Sequence, residues 1–517
     1  MAECILNPAS QDVADFIYRF GSLQNNLRDP EQFPCVDYVS NDYAVFYTEL
    51  ENSLPLSLER QPYYSIPSLF TLLDDSAMEA AGIVPALQTP ALSNMGSGVI
   101  VGIVDTGIDY TSPVFRKSDG TTRIRGLWDQ TLPEDPSVLP PGVPEYYPMG
   151  GASYGTEFTH EEINEALTLE DPFSLVPSKD TDGHGTFLAG LAAGFPLQNF
   201  TGAAPMADLA IVKLKPAKKY LRDYYLISED TPAFQENDIM MGIKYLRVIA
   251  DRFRRPLVTL LGLGTNYGSH TGTSPLSQVT QNYGGFFGIA TVIAAGNETG
   301  LAHHYAGRFS ADTSFEDVEL RVGEEEGKRG FILELWSSAA DLYTVGFVSP
   351  GGERISRIPI LSNNETRIPF LLESTVITVS YQLIEAGSGS QLVSMRFERP
   401  SPGIWTIRVY NTQFLTGEYH MWLPVQGFIS DETVFLKPDP SNTITVPGNS
   451  RLPITTGAYN HRNNSIYIHS SRGYTSRDYV KPDLAAPGVE ILGPSVRISA
   501  AFRPGLSSSV AAGTAPA

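Results

Sequence analysis

Apolar and polar positions follow two different patterns along the chain. From Gly98, the run GVIVGIVDTGID stays almost wholly apolar until Asp105 and Gly107, which is typical of a strand buried on both faces of a parallel sheet. Similar runs lie at 207–214, in RPLVTLLGLG and in GIATVIAAGN, with a helical pattern over 236–252 among them. Strands that alternate with helices predict a doubly wound parallel α/β sheet, which binds its ligands at the carboxyl ends of its strands.

Between 312 and 436 the pattern changes to short alternating segments separated by Gly, Pro, Asn and Ser. The clearest of them are FILELWS, LYTVGFVSPGG, STVITVSYQLI, GIWTIRVYN and EYHMWLP. Such spacing indicates an all-β sandwich. The α/β pattern resumes at RLPITTGAYN and continues through KPDLAAPGVEILGP, so we expect the β module to interrupt the α/β domain.

The first 74 residues form a separate unit in this pattern. Its segment YAVFY at 43–47 alternates as a strand does, and its end, SIPSLFTLLDDS, is an extended apolar run before the helix-like AMEAAGI. A small independent domain is one interpretation of this unit. A chain of 517 residues has room for several such units.

Composition narrows the range of partners and locations. The chain has 36 Lys and Arg against 57 Asp and Glu, a formal charge of −21, which argues against a bare nucleic acid or an anionic membrane surface as a partner. We expect no membrane span, because no apolar stretch reaches about 18 residues. The start, MAECILNPASQDVADFIYRF, lacks a basic segment followed by an apolar one, so we expect no secretory signal and an intracellular location.

Cys4 and Cys35 are the only cysteines. Two cysteines exclude a scaffold held by several disulfides. A single N-terminal bridge is one interpretation, and two reduced thiols is the one that we expect.

Three segments carry residues suited to nucleophilic catalysis. Asp105 ends a buried strand in IVDTGID, His184 lies between glycines in DTDGHGTFLAG, and Ser509 begins a small-residue, helix-compatible run in GLSSSVAAG. A serine hydroxyl becomes a strong nucleophile when an imidazole takes its proton. A buried carboxylate holds that imidazole in one tautomer and stabilises its charged form.

A fourth residue, Asn297 in AAGNETG, is suited to donate its side-chain amide to the oxyanion that forms during acyl transfer. Each residue alone is a weak signal: Asp105 has the place of a turn residue, and serines often begin helices. Their order Asp, His, Asn, Ser on an α/β background makes the combination specific.

The blocks DTGID, GHGT, AAGN and KPDLAAPG, in that order, resemble the signatures of the subtilase family of serine proteases. Within that family the chain is similar to the Csp germination proteases of spore-forming clostridia, most clearly in LGTNYGSHTGTSPLS, AAGNETGLAHHYAG and TTGAYNHRNNSIYIHSSRGYT. The resemblance covers essentially the whole chain. It implies a subtilisin-like α/β fold with an N-terminal α+β prodomain and an inserted jelly-roll sandwich.

The resemblance also implies roles and boundaries. Asp105, His184 and Ser509 would form the triad, and Asn297 the oxyanion donor. The domains would be a prodomain at 1–74, a catalytic domain at 75–517 and a jelly roll at 312–436 within it. Residues implied in substrate binding are Gly262, Leu263, Gly264 and Gly296. Self-cleavage would fall in the segment formed by Leu73, Asp74, Asp75 and Ser76.

Two features depart from the family pattern. Ser507-Ser508-Ser509 stands where the family has Gly-Thr-Ser, and by the resemblance the added side chain at Ser507 would lie where the backbone bends close to the cleft. Val-Ala-Ala after Ser509 favours Ser509 over Ser508 as the nucleophile. The chain also stops at Ala517, before the helices that the family places after the nucleophile, so we expect the catalytic domain to be truncated.

Three functions remain open from the sequence, and the retention of Asp105, His184, Asn297 and Ser509 favours the first. The first is an endopeptidase of cytoplasmic or spore-associated location that acts on a protein substrate, by resemblance the zymogen of a spore cortex-lytic hydrolase, with its own prodomain as a partner. The second is a catalytically impaired pseudoprotease that acts in germination signalling, and the third is a generic intracellular subtilase. We expect no cofactor and no metal, since His303 and His304 lack a motif that would complete a metal site.

Overall fold

The computed structural model of the protein describes most of the chain. It covers residues 6–19, 35–40, 42–72, 94–133, 154–197, 200–310, 312–360, 365–413, 415–476, 479–496 and 508–511.

The N-terminal unit is built on an antiparallel sheet in the order β1–β3–β2. The segment predicted as a strand at 43–47 lies in its middle strand. One further strand of this unit, β4, is not part of this sheet and pairs with strands of the α/β region. The four strands are β1 (Val13–Arg19), β2 (Val36–Tyr38), β3 (Tyr43–Glu49) and β4 (Leu69–Leu72).

Cys35, just before β2, is disulfide-bonded. The expectation of a reduced thiol at this position is therefore wrong. Sequence composition alone could not decide it, since two cysteines are compatible with either state.

The first part of the α/β region contains eight strands within the described residues. Each predicted apolar run coincides with one of them. They are β5 (Ile100–Asp105), β6 (Ile124–Asp129), β7 (Thr156–Thr159), β8 (Asp208–Lys213), β9 (Phe234–Gln235), β10 (Leu257–Leu261), β11 (Leu263–Gly264) and β12 (Ile289–Ala294).

The helices belong mainly to the same region. The predicted helical pattern over 236–252 corresponds to the longest of them. They are α1 (Leu50–Ser53), α2 (His160–Ala166), α3 (His184–Ala193), α4 (Lys219–Tyr225), α5 (Glu236–Phe253) and α6 (Pro275–Gly284), with short 3₁₀ turns at Tyr63–Ser65, Pro113–Phe115, Pro172–Ser174 and Glu325–Lys328.

The next region consists of strands, arranged as two antiparallel sheets around a shared apolar core. The sheet orders are β13–β22–β15–β20–β19–β18 and β17–β16–β21–β14–β23. The strands are β13 (His304–Arg308), β14 (Phe315–Val322), β15 (Gly330–Ser337), β16 (Leu342–Val348), β17 (Arg354–Ile355), β18 (Thr366–Pro369), β19 (Val376–Gln382), β20 (Gln391–Glu398), β21 (Gly403–Gln413), β22 (Glu418–Trp422) and β23 (Val434–Phe435).

The chain then returns to the α/β sheet. Three strands join that sheet and two form a separate ribbon. They are β24 (Ile454–Asn460), β25 (Ser465–Ile466), β26 (Leu484–Pro487), β27 (Ile491–Pro494) and β28 (Ser508–Ala511).

The main sheet has the order β25–β24–β12–β10–β5–β8–β6–β7, with β26 paired to β24. The strands from β24 to β6 run parallel to their neighbours, so the predicted parallel sheet is confirmed for its centre. The edge strands β7 and β25 are antiparallel, which makes the sheet mixed, as is common for large α/β sheets.

Burial on both faces explains why the central strands read as unbroken apolar runs. In β8, Leu209 and Ile211 pack on the face covered by α3. Ala210 and Val212 pack on the opposite face, against α5. Successive side chains of a strand point to opposite faces, so a strand covered on both sides must be apolar at every position.

A buried ion pair joins the N-terminal unit to the α/β region. The Nζ of Lys218 lies 2.7 Å from Oδ2 of Asp15 in β1, and it donates to the carbonyl of Val13 at 2.9 Å. Gln235 Nε2 donates to the same carboxylate oxygen at 3.1 Å. Lys218 is fully buried, and this burial lowers the pKa of its ammonium group.

A second buried group, Glu236, lies at the start of α5. Its backbone N–H donates to the carbonyl of Ser68, and its carboxyl accepts from the N–H groups of Leu276 and Ser68 at 2.9 and 3.3 Å. Burial raises the pKa of Glu236 from 4.5 to about 7.

Within the described residues, no helix is sufficiently long and apolar to cross a membrane.

Lys218→Met should destabilise the protein by about 3–5 kcal/mol, because it leaves the carboxylate of Asp15 buried without its counter-charge. Urea unfolding followed by tryptophan fluorescence would measure the loss. Lys219→Met is the matched control, since the side chain of Lys219 is 62% exposed and exposed pairs contribute little. Equal unfolding midpoints for the two variants would contradict the prediction.

Glu236 should make stability fall as pH rises. Its folded pKa lies above its unfolded value, so between pH 4.5 and about 7 the native state binds more protons than the unfolded state. Glu236→Gln removes this contribution, and the free energy of unfolding of the variant relative to wild type should rise across that range. The exposed control Glu432→Gln should show no such trend, and a flat difference for Glu236→Gln would refute the assignment.

Candidate active site

Adjacent parallel strands bring several of the predicted residues to one edge of the sheet. Asp105 ends β5, Gly262 follows β10, and Gly296 and Asn297 follow β12. Because β5, β10 and β12 are neighbours in parallel register, their carboxyl ends meet at the same edge. Doubly wound sheets bind their ligands at this edge.

His184 is brought into direct contact with Asp105. Its Nδ1 lies 2.8 Å from Oδ1 of Asp105, and the same oxygen accepts from the N–H of Thr106 at 2.8 Å. The Asp105 side chain is 1% exposed and the His184 side chain 10%. Oδ2 of Asp105 is buried and has no hydrogen-bond partner among the described groups. A buried carboxylate of this kind fixes the ring so that Nδ1 carries a proton and Nε2 is the basic nitrogen.

The glycine after His184 is required by a close backbone approach. A Cβ at Gly185 would lie 2.3 Å from the carbonyl oxygen of Gly107, so any larger residue would push α3 away from the end of β5. The N–H of Gly185 donates to Oγ1 of Thr106 at 2.9 Å. The glycines of the GHGT and DTG segments therefore let the helix that begins with His184 reach Asp105.

Asp180, a residue not predicted from the sequence to be functional, organises the turn before His184. Its Oδ1 accepts from the N–H of Gly183 at 2.8 Å, and its Oδ2 accepts from the N–H and hydroxyl of Thr186 at 2.9 and 2.7 Å. The hydroxyl oxygen of Thr186 in turn accepts from the N–H of Asp109. An aspartate three residues before a Gly-His-Gly segment is the signal for this turn, since Asp favours such local hydrogen bonds.

The loop that carries Asn297 is held by backbone contacts on both sides. Gly296 has φ +102°, and a Cβ there would lie 2.6 Å from the methyl group of Thr445. The carbonyl of Gly296 accepts from the N–H of Ser471 at 2.9 Å. The N–H of Glu298 donates to the Ser471 hydroxyl at 2.9 Å. Asn297 itself is half-buried.

The predicted substrate strand already pairs with another strand of the chain. Leu263 and Gly264, which form β11, pair antiparallel with Leu72 and Thr71 of β4. On its other side β4 pairs antiparallel with β9. The end of the N-terminal unit thus occupies the middle of a three-stranded sheet at the carboxyl edge of the main sheet.

Ser509 lies in β28, which pairs antiparallel with β27 so that Ser509 is opposite Gly493. β27 packs on α3, because a Cβ at Gly190 would overlap Pro494 and one at Gly493 would overlap Phe187. The sequence predicts a helix beginning at Ser509, whereas the backbone there is a strand. Two serines and the β-branched Val510 have weak helix propensity, and β27 offers backbone partners.

The other predicted residues divide into two groups. Leu73, Asp74, Asp75 and Ser76 lie outside the described residues, as does Ser507. His303 and His304 are described and buried: Nδ1 of His303 faces Glu298, and Nε2 of His304 faces His420. In the part of the chain that the structure describes, no group of three or more His, Cys, Asp or Glu side chains is arranged to hold a metal ion.

Comparison with known proteins agrees with this geometry. Residues 96–319 match the subtilase family, peptidase S8, a range that contains Asp105, His184 and Asn297. The solved structure of the Clostridium perfringens CspB protease is 29% identical, with a TM-score of 0.69, and the match covers 84% of this chain and 82% of that one.

Curated relatives come from Arabidopsis thaliana. Subtilisin-like protease SBT3.12 is 25% identical over 443 residues, 80% of this chain and 52% of that protein. Subtilisin-like protease SBT2.1 is 31% identical over 135 residues, 23% of this chain and 15% of that protein. The chain thus spans about half the length of the first relative and less of the second. Residues 96–319 thus match the subtilase family, and the chain as a whole resembles the subtilisin-like serine protease CspB.

Proposed function

We propose that the chain is a serine endopeptidase of subtilisin type that performs limited proteolysis on a protein substrate. The hydrogen bond between Asp105 and His184, at the sheet edge where β11 holds an extended strand, carries this proposal. Both are requirements of peptide hydrolysis: an oriented base, and a strand that fixes the backbone of the peptide to be cleaved.

Each of the four residues has its own role in the proposed reaction. The hydroxyl of Ser509 attacks the carbonyl carbon of the scissile bond while Nε2 of His184 takes its proton, and His184 gives that proton to the leaving amine as the C–N bond breaks, which leaves an acyl-enzyme. A water molecule, deprotonated by Nε2 of His184, then attacks the ester carbonyl, and His184 returns the proton to Ser509 as the ester bond breaks. Asp105 accepts from Nδ1–H throughout and stabilises the imidazolium. The side-chain amide of Asn297 donates to the oxyanion, a contribution of about 3–4 kcal/mol in comparable sites.

The N-terminal unit, 1–74, acts in this proposal as a prodomain of the catalytic domain at 75–517. Two features support it: β4 pairs with β11 as an extended substrate would, and Ser68, just before β4, is held by Glu236. The chain after β4 leads directly to Leu73, Asp74, Asp75 and Ser76, so self-cleavage in this segment would leave β4 in the cleft as a product.

The two antiparallel sheets between β13 and β23 correspond in this proposal to a jelly-roll insertion at 312–436. Their position between β12 and β24, which are neighbours in the main sheet, supports an insertion. A bulky module beside the cleft suits a protease that accepts few substrates.

The substrate is inferred from the likeness to CspB and to the Csp germination proteases. We take it to be the zymogen of a spore cortex-lytic hydrolase, cleaved during germination by an enzyme located in the cytoplasm or the spore.

Processing and active-site labelling test the proposed function. The full chain should release its N-terminal unit on a denaturing gel and react with a fluorophosphonate probe. Ser509→Ala should do neither, because the nucleophile is gone, although its circular dichroism spectrum should match that of wild type.

Three results would contradict the assignment in different ways. Labelling that persists in Ser509→Ala would assign the nucleophile to another serine, with Ser508 tested next. Processing that persists in His184→Ala would remove the base from its role. A folded wild-type chain that neither processes nor reacts would be a pseudoprotease with a binding or signalling role.

A further inference from the structure

Glu298, the residue after Asn297, has a carboxylate that is buried and fully engaged. The residue is 2% exposed. Its Oε2 accepts from Nδ2 of Asn266 and from Nδ1 of His303, each at 2.8 Å. Its Oε1 accepts from the backbone N–H of Gln426 at 3.0 Å. Three donors around one carboxylate compensate for its burial.

The three donors come from three different parts of the fold. Asn266 lies two residues after β11, His303 immediately precedes β13, and Gln426 lies on the segment that leaves β22. Asn266 Nδ2 also donates to the carbonyl of Leu423 at 3.2 Å. The carboxylate therefore joins the loop of Asn297 to the substrate-pairing strand and to the base of the β sandwich.

Ser471 alone does not provide this connection. It holds the backbone on both sides of Asn297, through the Gly296 carbonyl and the Glu298 N–H. It belongs, however, to the segment after β25, where the neighbouring Ser470 hydroxyl accepts from the N–H of Ala458 in β24. Glu298 supplies the contact in the other direction, towards β11. An oxyanion donor must be fixed relative to the bound peptide, and that peptide is registered by β11.

We propose that Glu298 is a positioning residue that sets the amide of Asn297 relative to the substrate strand β11. The proposal rests on the serine-peptidase function proposed above. Only a carboxylate suits the position, because its two oxygens are both acceptors. In Glu298→Gln one oxygen becomes an NH₂ group that must face a donor, either Gln426 N–H or the Asn266–His303 pair. The side-chain amide at position 298 would have to rotate or shift to avoid this donor, and the loop that carries Asn297 would move with it.

A buried glutamate that merely stabilises the fold is the competing explanation. The two explanations differ in where the effect appears. A structural role lowers the amount of folded protein and leaves the folded fraction with a normal turnover. A positioning role lowers kcat in protein that is fully folded, leaves KM for a peptide substrate nearly unchanged, and depends on the side chain at position 297.

The experiment is a double-mutant cycle of Glu298→Gln and Asn297→Ala in the full chain, assayed by kcat and KM on a peptide substrate and by thermal unfolding. Glu298→Gln should lower kcat by about tenfold or more, since misplacement by about 1 Å can cost about a hundredfold. Asn297→Ala should lower kcat by about 10²–10³. In the Asn297→Ala background, Glu298→Gln should have almost no further effect.

Glu326→Gln is the matched control. Glu326 is also buried, at 6% exposure, and accepts from Ser430 N–H, from the Ser430 hydroxyl and from Thr433 within the sandwich. It should lose stability without a change in kcat. If Glu298→Gln fails to fold, Asn266→Ala removes one donor to the carboxylate and should give a smaller fall in kcat, again only when Asn297 is present.

The outcomes separate this inference from the proposed function. An inactive wild-type chain would overturn both. An active wild type with Glu298→Gln and Asn266→Ala at wild-type kcat would overturn the positioning role alone. Equal losses from Glu298→Gln with and without Asn297 would also overturn it, and would make Glu298 a structural residue like Glu326.

Discussion

The carboxylate of Asp105 is withdrawn from solvent at the end of β5, where the Nδ1 group of His184 and the N–H of Thr106 share one of its oxygens. A charge buried to this degree is tolerable only when its partners are fixed. The fixing comes from geometry around it: Gly185 lets α3 approach Gly107, and Asp180 closes the turn before His184. The strand, the turn and the helix therefore depend on one another.

Much of this arrangement could be predicted from the sequence because it is local or follows from periodicity. The apolar run ending at Asp105 predicts a strand covered on both faces, and the parallel order of the central strands then brings Gly262 and Asn297 to the same edge. Asp105 and His184 are 79 positions apart and are in hydrogen-bond contact. The antiparallel direction of the edge strands β7 and β25 could not be predicted, because it depends on the geometry of the connecting loops and not on the periodicity of apolar residues.

Contacts made by polar groups over long sequence distances could not be predicted. Glu298 reads as an ordinary loop residue, and its donors Asn266 and Gln426 lie 32 and 128 positions away. Lys218 likewise contacts both Asp15 and Val13 of β1, and its separation from Val13 is 205 positions. The sequence around Ser509 suits a helix start by composition, yet pairing with β27 outweighs that weak preference. In each case a tertiary partner decides, and no local pattern carries its identity.

The β sandwich begins and ends at almost the same point. His304 at the start of β13 is directly opposite Trp422 at the end of β22, and the N–H of Phe435 donates to the carbonyl of Ala302. Antiparallel partners lie only about 5 Å apart, so the module spans a gap no wider than an ordinary hairpin turn. Exchange of the module between 302 and 435 for a short turn would keep the path of the chain but would remove His303 and Gln426, two of the three donors to Glu298.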